Sequence, residues 1–393
     1  MTQGLTDVNF SGKRAFVRVD FNVPLEDGVI SDDTRITAAL PTIQHILNAG
    51  GAVICASHLG RPGGEIVKEL RMAPVAARLQ ELLGEDVSVK ACSEVVGEAA
   101  DAMTSACKPG EVLILENLRF EPGEVKNDAT LAEKLASYAD VFVQDAFGTC
   151  HRAHASTAGV PARLQPAVAG LLVEKELDAF EKAMGNPKKP VLAIVGGAKV
   201  SDKMLLLESL IEKVNTILIG GGMAYTFLKA LNQGIGKSLV EDDRVETAKK
   251  AWEKAKENGV DILLPVDHLA AKSFEPNTDV KVASGDVPEQ RMGLDIGPVT
   301  CEAYTAAIRN AGTVVWNGPM GVFEMDAFSH GTSAIALALA ESDCVSIVGG
   351  GDSVAAIKRN GVQDRMTHIS TGGGAFLELL EGKALPGITA LQA

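Results

Sequence analysis

The sequence of 393 residues lacks the features of several protein classes. No stretch of about 18 apolar residues occurs, which excludes a membrane-spanning helix. The first residues contain no basic region followed by an apolar run, so we expect no secretory signal. The six cysteines include no C-x-x-C pair and lie mostly in apolar segments, which indicates reduced, buried thiols. We therefore expect a cytoplasmic protein.

Positive charge is also scarce. The chain has 37 Lys and Arg against 51 Asp and Glu, a net charge of −14. Without a basic field, the protein cannot release counterions from a nucleic acid or an anionic membrane, so we expect neither as a partner. An anionic small molecule is compatible with this charge only if a local cluster of cations meets it. At 46% hydrophobic residues the chain can bury a sizeable core, and its length suggests two or three domains.

Short apolar runs rich in Val and Ile alternate with amphipathic stretches of helical length. The runs of the first half span 15–22, 52–61, 112–120 and 141–148, and those of the second half span 191–197, 216–222, 261–267, 313–319, 346–352 and 368–374. Continuous apolarity indicates strands that are buried on both faces, as in parallel sheets. Strands that alternate with helices predict an α/β fold, and two such series predict two doubly wound parallel-sheet (Rossmann-like) domains.

The boundary between the two series lies in a predicted helix over 171–184, which the sequence GNP at 185–187 ends before the next strand. We predict an N-terminal domain over 1–172, an interdomain helix and hinge over 173–187, and a C-terminal domain over 188–378. The last segment, 379–393, is apolar enough to dock on the protein.

Polar and basic side chains follow the predicted strands of the first half, where ligands bind in open α/β sheets. We call this set the basic rim; it comprises Asp20, Asn22, Arg35, His58, Arg61, Arg119 and Arg152. A single arginine of this kind usually forms a surface salt bridge, but four that lie near strand ends favour a ligand site. Because arginine binds carboxylate and phosphate at two points, we expect a small ligand that carries both groups. Asp20 and Asn22 would be available to its hydroxyls.

Glycines take the corresponding positions in the second half. They form four clusters, at 196–197, 220–222, 349–351 and 372–374, each between an apolar run and a helical pattern. Glycine there lets backbone N–H groups and helix N-termini approach a phosphate or a flat base. A tight strand–helix turn explains most single glycine pairs, but four clusters in one domain favour a nucleotide cleft.

Charged residues accompany these glycines. Lys199 and Lys203 have helical i,i+4 spacing, which predicts two ammonium groups on one helix face that could neutralise phosphate oxygens. Asp352 follows a glycine cluster and could anchor Mg²⁺ beside nucleotide phosphates. Glu324 could bind a ribose hydroxyl. For each residue, a solvated charge at a helix start is an equally good interpretation.

Two apparent motifs carry no function. The segment GKS at 236–238 resembles the end of a P-loop, but Leu231 stands where that motif requires glycine. Cys150, His151 and His154 lack further ligands at zinc-like spacing.

Long segments in order along the chain resemble the signature segments of the phosphoglycerate kinase family. They are RVDFNVP (18–24), SHLGRP (57–62), LENLRF (115–120), DAFGTCHRAHAS (145–156), VGGAKVSDK (195–203), WNGPMGVFE (316–324), GGGDS (349–353) and STGGGA (370–375). The resemblance implies two similar α/β domains joined by a helix, with the C-terminal segment packed on the first. It also implies a monomeric glycolytic kinase that transfers a phosphoryl group reversibly between 1,3-bisphosphoglycerate and ADP, giving 3-phosphoglycerate and ATP.

The resemblance also implies residue roles. The phosphoglycerate would be held by Asp20, Asn22, Arg35, His58, Arg61, Arg119 and Arg152. The nucleotide would be held by Gly197, Lys203, Pro319, Val322, Glu324, Gly349, Gly350, Gly351, Asp352 and Ser353, with Asp352 on Mg²⁺. The transferring phosphoryl group would be surrounded by Arg35, Lys199, Lys203 and Gly372. Ser353 replaces the family's usual threonine, but it keeps the hydroxyl, so we expect little functional change.

Phosphoryl transfer needs in-line placement and charge neutralisation more than a catalytic base, so the lack of an obvious base agrees with this activity. Cations from both domains must converge, and we expect hinge closure to exclude water. A dinucleotide-dependent dehydrogenase would need an early G-x-G-x-x-G segment, which is absent. A two-lobed solute-binding protein would leave Lys199, Lys203 and Asp352 without a role.

Overall fold

The computed structural model of the protein describes residues 4–392, which divide into two compact units. Unit 1 comprises residues 4–177 together with 384–392, and unit 2 comprises Asp178–Lys383. The division falls inside the segment 173–187 that was predicted to connect two domains.

Unit 1 is built on short, mostly apolar strands. They are β1 (Arg14–Val19), β2 (Leu25–Glu26), β3 (Val29–Ile30), β4 (Ala52–Ala56), β5 (Ser88–Ala91), β6 (Glu111–Ile114), β7 (Val141–Asp145) and β8 (Ala167–Ala169). Six of them form a parallel sheet in the order β5-β6-β4-β1-β7-β8, and β2 pairs with β3 as an antiparallel hairpin. The central strands β1, β4 and β7 are buried along nearly their whole length, which explains their continuous apolarity.

The helices of this part of the chain are interspersed with its strands, and the last of them continues past the division between the units. They are α1 (Thr34–Asn48), α2 (Ala73–Leu83), α3 (Glu98–Ala106), α4 (Ala129–Ala136) and α5 (Leu171–Phe180). Helix α4 begins after Asp128, whose carboxylate accepts a hydrogen bond from the Leu131 N–H at 2.8 Å and caps the first turn. The helix predicted over 171–184 is not uniform, because α5 continues as a π-helical turn over Glu181–Gly185. There the Asn186 N–H donates to the Glu181 carbonyl, five residues earlier, at 2.9 Å.

Unit 2 contains a second parallel sheet. The strands of this unit are β9 (Val191–Val195), β10 (Thr216–Ile219), β11 (Asp261–Leu263), β12 (Asp267–Ala271), β13 (Val280–Ser284), β14 (Met292–Ile296), β15 (Thr313–Asn317), β16 (Val345–Gly349) and β17 (His368–Ile369). Six of them pair in the order β11-β10-β9-β15-β16-β17, all parallel. The prediction of two doubly wound parallel sheets is therefore confirmed.

Unit 2 also has a three-stranded antiparallel sheet, in the order β13-β12-β14, that the sequence patterns did not predict. The apolar run 261–267, expected as one strand, is divided: β11 ends at Leu263, and β12 begins at Asp267 in a different sheet. Pro265 lies between them and has no N–H for a ladder, so the run cannot continue as one central strand.

The helices of unit 2 and the last helix of the chain complete the fold. They are α6 (Met204–Ile211), α7 (Met223–Ala230), α8 (Val245–Glu257), α9 (Pro298–Arg309), α10 (His330–Glu341), α11 (Gly351–Arg359), α12 (Gly374–Leu380) and α13 (Pro386–Thr389). Trp316 and Ile335 belong to the core between the parallel sheet and its helices. Within residues 4–392, no helix has the length and apolarity needed to cross a membrane.

The end of the chain belongs to unit 1. The Gly387 N–H donates to the Cys150 carbonyl at 2.8 Å, and Leu385 and Leu391 are buried. The returning segment begins at residue 384, later than the predicted 379, because Leu380 remains in unit 2, where its carbonyl accepts from the Ser209 hydroxyl at 2.7 Å.

All six cysteines are free thiols. Four are buried, as the sequence predicted, but Cys107 and Cys301 are only partly buried.

Candidate active site

The basic rim lies at the carboxyl edge of the sheet of unit 1. Asp20 directly follows β1, His58 lies two residues beyond β4, and Arg119 lies in the turn after β6. Arg152 follows β7, and Arg35 is the second residue of α1. Because β6, β4, β1 and β7 are consecutive in the sheet, their ends bring these sequence-distant residues to one edge.

Direct contacts join several loops of the rim. The Arg35 guanidinium donates to the Asp20 carboxylate at 2.9 Å. The Asn22 side-chain oxygen accepts from the Gly60 N–H at 2.8 Å, and Arg119 donates to the Gly60 carbonyl at 2.7 Å. The loops after β1, β4 and β6 therefore meet at Gly60.

Two further arginines contribute charge rather than loop contacts. Arg61 and Arg152 are both exposed, and Arg152 donates to the Nε2 atom of His151 at 3.1 Å. Both lie close enough to Arg119 to influence its ionisation.

Arg119 is the strongest sign of an anion site in unit 1. Its Nε is buried and has no acceptor among the described residues. Burial lowers the pKa of Arg119 from its ordinary value, and neighbouring arginines, Arg152 foremost, lower it further. A buried donor and mutually repelling cations are both relieved by a bound anion.

His58 takes part in the rim as a neutral group. Burial lowers the pKa of His58 far below its ordinary value, and Arg18 adds to this effect. The Arg18 Nη2 lies 3.4 Å from His58 Nδ1. Because a guanidinium can only donate, Nδ1 is the acceptor and Nε2 carries the proton. His58 can therefore offer a ligand one uncharged N–H donor.

Sequence analysis missed three residues beneath the rim: Arg18, Glu124 and Ser156. Arg18 is 1% exposed on β1, and its Nε donates to the Ser156 hydroxyl at 2.8 Å. Glu124 is fully buried, and burial raises the pKa of its carboxyl, whereas the Arg18 guanidinium lowers it. Arg18, in the middle of a mostly apolar run, was a signal for this buried network that sequence analysis did not use.

In unit 2, the glycines bring backbone segments into close contact at the strand ends. A Cβ atom on Gly196 would lie 2.0 Å from the Pro319 carbonyl oxygen, and one on Gly318 would lie 2.2 Å from the Gly196 carbonyl oxygen. Gly318 and Gly350 also have φ of +99° and +91°, which other residues adopt only with strain. Only glycine therefore fits these positions.

The two lysines do not share a helix face, so that prediction is wrong. Gly197 has φ of +126°, and the Lys203 N–H closes a turn onto the Val200 carbonyl at 2.9 Å. Helix α6 therefore begins only at Met204, with Lys203 as its N-cap and Lys199 exposed in the preceding loop.

Lys203 is held by a residue that sequence analysis did not single out. Its ammonium group donates to the side-chain oxygen of Asn317, whose Nδ2 donates to the Gly349 carbonyl at 3.1 Å. Burial lowers the pKa of Lys203 from its ordinary value, and nearby Asp202 opposes this shift. Asn317 thus links the lysine to the end of β16.

Other residues predicted to bind the nucleotide or the transferring phosphoryl group lie at the starts of α11 and α12. Gly350 is the N-cap of the helix, and Asp352 lies exposed in its first turn. Ser353 is buried, and its hydroxyl accepts from the Gly318 N–H at 2.6 Å. Gly372 lies in the turn before α12, where its N–H donates to the Ser370 hydroxyl at 3.1 Å.

A pocket of about 700 Å³ opens in unit 2 beside these groups. From the predicted nucleotide set, its wall includes Gly197, Pro319, Val322, Glu324 and Asp352. Its other walls include the apolar or aromatic residues Tyr225, Leu239, Phe274, Met292 and Leu294, none of which sequence analysis identified. The predicted residues of unit 2 that do not line this pocket are Lys199, Lys203, Gly349, Gly350, Gly351, Ser353 and Gly372. The volume and lining are those of a cofactor-sized site.

Asp352 fits a magnesium ion that arrives with a nucleotide. Within residues 4–392, no group of three or more His, Cys, Asp or Glu side chains could hold a metal by itself. Mg²⁺ is commonly bound by one or two carboxylates together with phosphate oxygens and water. One exposed carboxylate beside a nucleotide-sized pocket matches that donor set.

Two α/β units that are each built on a parallel sheet, one with an arginine-rich rim and the other with a glycine-lined pocket, are typical of a phosphotransferase that uses a nucleotide. The chain belongs to the phosphoglycerate kinase family, whose model matches residues 5–383. It is therefore a glycolytic phosphotransferase that moves a phosphoryl group reversibly between 1,3-bisphosphoglycerate and ADP, giving 3-phosphoglycerate and ATP.

Solved structures of this family are similar over the full chain. The phosphoglycerate kinase from Coxiella burnetii is 44% identical, with a TM-score of 0.92, and the match covers 100% of this chain and 98% of that one. The enzyme from Pyrococcus horikoshii OT3 is 34% identical, with a TM-score of 0.83, and the match covers 99% and 98% of the two chains.

Proposed function

We propose that unit 1 binds the phosphoglycerate and unit 2 binds the magnesium nucleotide. The observation that carries this division is that the basic rim belongs wholly to unit 1, whereas the 700 Å³ pocket belongs wholly to unit 2. A three-carbon acid phosphate needs convergent cations, and a nucleotide needs an apolar wall for its base together with backbone N–H groups for its phosphates.

In unit 1, Arg61, Arg119 and Arg152 bind the phosphate and carboxylate charges. The Arg119 Nε supports this role, since it is a buried donor that lacks an acceptor among the described residues. His58 adds a neutral N–H, and the oxygens of Asp20 and Asn22 accept from a hydroxyl. In this arrangement the cationic and N–H donors meet the anionic oxygens of the substrate, and the side-chain oxygens accept from its hydroxyl.

In unit 2, the base packs against the apolar wall, and Pro319 and Val322 belong to that wall. Glu324 accepts from a ribose hydroxyl. The glycines Gly197, Gly349, Gly350 and Gly351 and the start of α11 present backbone N–H groups to the phosphates, and Ser353 fixes this helix to the Gly318 loop. Asp352 holds Mg²⁺, which neutralises phosphate charge when bound.

Arg35, Lys199, Lys203 and the backbone N–H of Gly372 neutralise the transferring phosphoryl group. No side-chain base is required, because the attacking carboxylate or ADP oxygen is already a competent nucleophile. Arg35 belongs to unit 1 and Lys203 to unit 2, so neutralising one phosphoryl group needs side chains from both units. We propose that hinge closure brings the two bound substrates together. Closure would also exclude water from the reaction.

We further propose that the protein works as a cytoplasmic monomer without nucleic acid or membrane partners. The net charge of −14 supports the lack of nucleic acid and membrane partners, and the six free thiols support a reducing compartment. The monomeric state rests on the family resemblance alone.

One assay tests the function against its alternatives. We expect ATP consumption that requires both 3-phosphoglycerate and Mg²⁺, and we expect Arg119→Ala to weaken 3-phosphoglycerate binding while nucleotide binding is retained. A dehydrogenase would instead oxidise or reduce a nicotinamide cofactor, and a binding protein would bind ligand without turnover. Either result would refute the proposal.

A further inference from the structure

The buried carboxylate of Glu124 has no place in the substrate set, yet it makes specific contacts beneath the basic rim. Its Oε1 accepts from the Ser156 hydroxyl at 2.5 Å, and its Oε2 accepts from the Ser156 N–H at 3.0 Å. The Glu124 backbone carbonyl also accepts from the Ala155 N–H at 2.9 Å. Both side-chain oxygens act as acceptors, which is the hydrogen-bonding pattern of an ionised carboxylate.

Ser156 continues these contacts toward the substrate side. Its hydroxyl gives its hydrogen to Glu124 and accepts from Arg18 Nε at 2.8 Å. Arg18 Nη2 then lies 3.4 Å from His58 Nδ1. We call Glu124, Ser156, Arg18 and His58 the buried chain. Each of these four residues is at most 5% exposed. Of the four, only His58 belongs to the basic rim that is proposed to bind the substrate.

Glu124 also fixes the loop that carries Arg152. The loop folds back on itself, because the Thr157 hydroxyl donates to the Arg152 carbonyl at 2.7 Å. Glu124 holds the middle of this loop through Ala155 and Ser156. His154 Nδ1 lies 3.8 Å from Glu124 Oε1, but the two do not form an ion pair at pH 7. Burial lowers the pKa of His154 to about 4, so its imidazole is neutral at that pH.

We propose that Glu124 is a positioning residue for phosphoglycerate binding. It orients His58 through Ser156 and Arg18, and it holds the loop that bears Arg152. The inference rests on the proposed assignment of the basic rim to phosphoglycerate. Glu124 itself, being fully buried, contacts no substrate.

The direction in which the Kd of 3-phosphoglycerate changes when Glu124 is replaced separates a positioning role from a purely electrostatic one. Glu124 is a negative charge close to Arg18 and Arg119. If it acted only through its charge, its removal would strengthen the attraction of the rim for an anion. If it positions the rim, its removal weakens anion binding although the net positive charge rises.

The test measures the Kd of 3-phosphoglycerate for the full-length protein by calorimetry. We expect Glu124→Gln to raise this Kd about tenfold, because a hydrogen bond to a charged acceptor is replaced by one to a neutral amide. The Kd of Mg-ADP should change less than twofold. A Kd for 3-phosphoglycerate that is unchanged or lower would overturn the proposal.

A second variant tests the chain itself and covers the case in which Glu124→Gln does not fold. Ser156→Ala removes the hydroxyl that joins Glu124 to Arg18, and we expect a rise in Kd of at least threefold. The double variant should bind no more weakly than Glu124→Gln alone. Effects that multiply, or a Ser156→Ala variant that binds normally, would contradict a common chain.

Two controls complete the design. Asp267→Asn in unit 2 removes a buried carboxylate that caps α9 through Val299 and Thr300, and it should lower stability without changing the Kd of 3-phosphoglycerate. Arg61→Ala tests the rim directly. If Arg61→Ala binds normally, the substrate site is wrong; if it binds weakly while Glu124→Gln binds normally, only the positioning role of Glu124 is wrong.

Discussion

Replacing Arg35 with alanine should separate catalysis from stability. Arg35 donates to Asp20 at 2.9 Å, and 43% of its side chain is exposed. Exposed ion pairs contribute about 0.2–1 kcal/mol to the free energy of unfolding. We therefore expect Arg35→Ala to lower the free energy of unfolding by less than about 1 kcal/mol.

The expected catalytic loss is larger. In the proposed transition state, the Arg35 guanidinium donates to an oxygen of the transferring phosphoryl group. A charge-assisted hydrogen bond of this kind is worth about 1.5–3 kcal/mol. At about 1.4 kcal/mol per factor of ten, kcat should fall between roughly 10-fold and 150-fold.

The assay is steady-state turnover at saturating 3-phosphoglycerate and Mg-ATP, with urea unfolding measured in parallel. Arg78→Ala is a matched control, since Arg78 is 38% exposed and pairs with Asp33 at 2.7 Å and Glu81 at 2.6 Å, outside the basic rim. The control should lose similar stability and keep its kcat. If Arg35→Ala keeps wild-type kcat, Arg35 has no role in the transition state.

Three other predictions concern the metal, closure and pH. Asp352→Asn should weaken Mg-ATP binding at least tenfold and leave 3-phosphoglycerate binding intact, whereas Ser353→Thr should be near neutral; calorimetry that shows equal loss of both ligands would exclude a metal role. Solution scattering should give a smaller radius of gyration with 3-phosphoglycerate and a non-reacting Mg-nucleotide together than with either alone, and an unchanged radius would exclude closure. Burial raises the pKa of Asp145 to about 7, and its Oδ2 has no partner among the described residues. Asp145 holds its proton more tightly in the folded protein than in the unfolded chain, so its contribution to the free energy of unfolding falls as pH rises from about 4 to 7. Urea unfolding should therefore show that Asp145→Asn gains stability relative to wild type across that range.

The parallel sheets were predictable because burial on both faces leaves a continuous apolar run. β1, β4 and β7 show this pattern. Strand β5 is largely exposed and β8 has only three residues, so neither produces such a run. Strand β13 is exposed along most of its length, and the antiparallel sheet to which it belongs was missed.

The candidate site was predictable where residue type and strand-end position coincide, as at Arg119 and Asp352. Asn317 and Glu124 escaped because their importance lies in contacts across the fold: Asn317 meets Lys203, which is 114 positions earlier, and Glu124 meets Ser156, which is 32 positions later. Spacing alone also gave a wrong helix start near Lys199, because a period cannot reveal the left-handed φ of Gly197. The ligand roles of all these residues stay predictions.

The return of residues 384–392 to unit 1 has a consequence for biosynthesis. The ribosome adds the roughly 200 residues of Asp178–Lys383 before it can supply the last piece of unit 1, a delay of about 10–40 s at ordinary elongation rates. Unit 2 is a continuous segment and can finish folding first, although unit 1 is begun earlier. A premature stop codon that removes the buried Leu385 and Leu391 should therefore damage the first-made unit and spare the second.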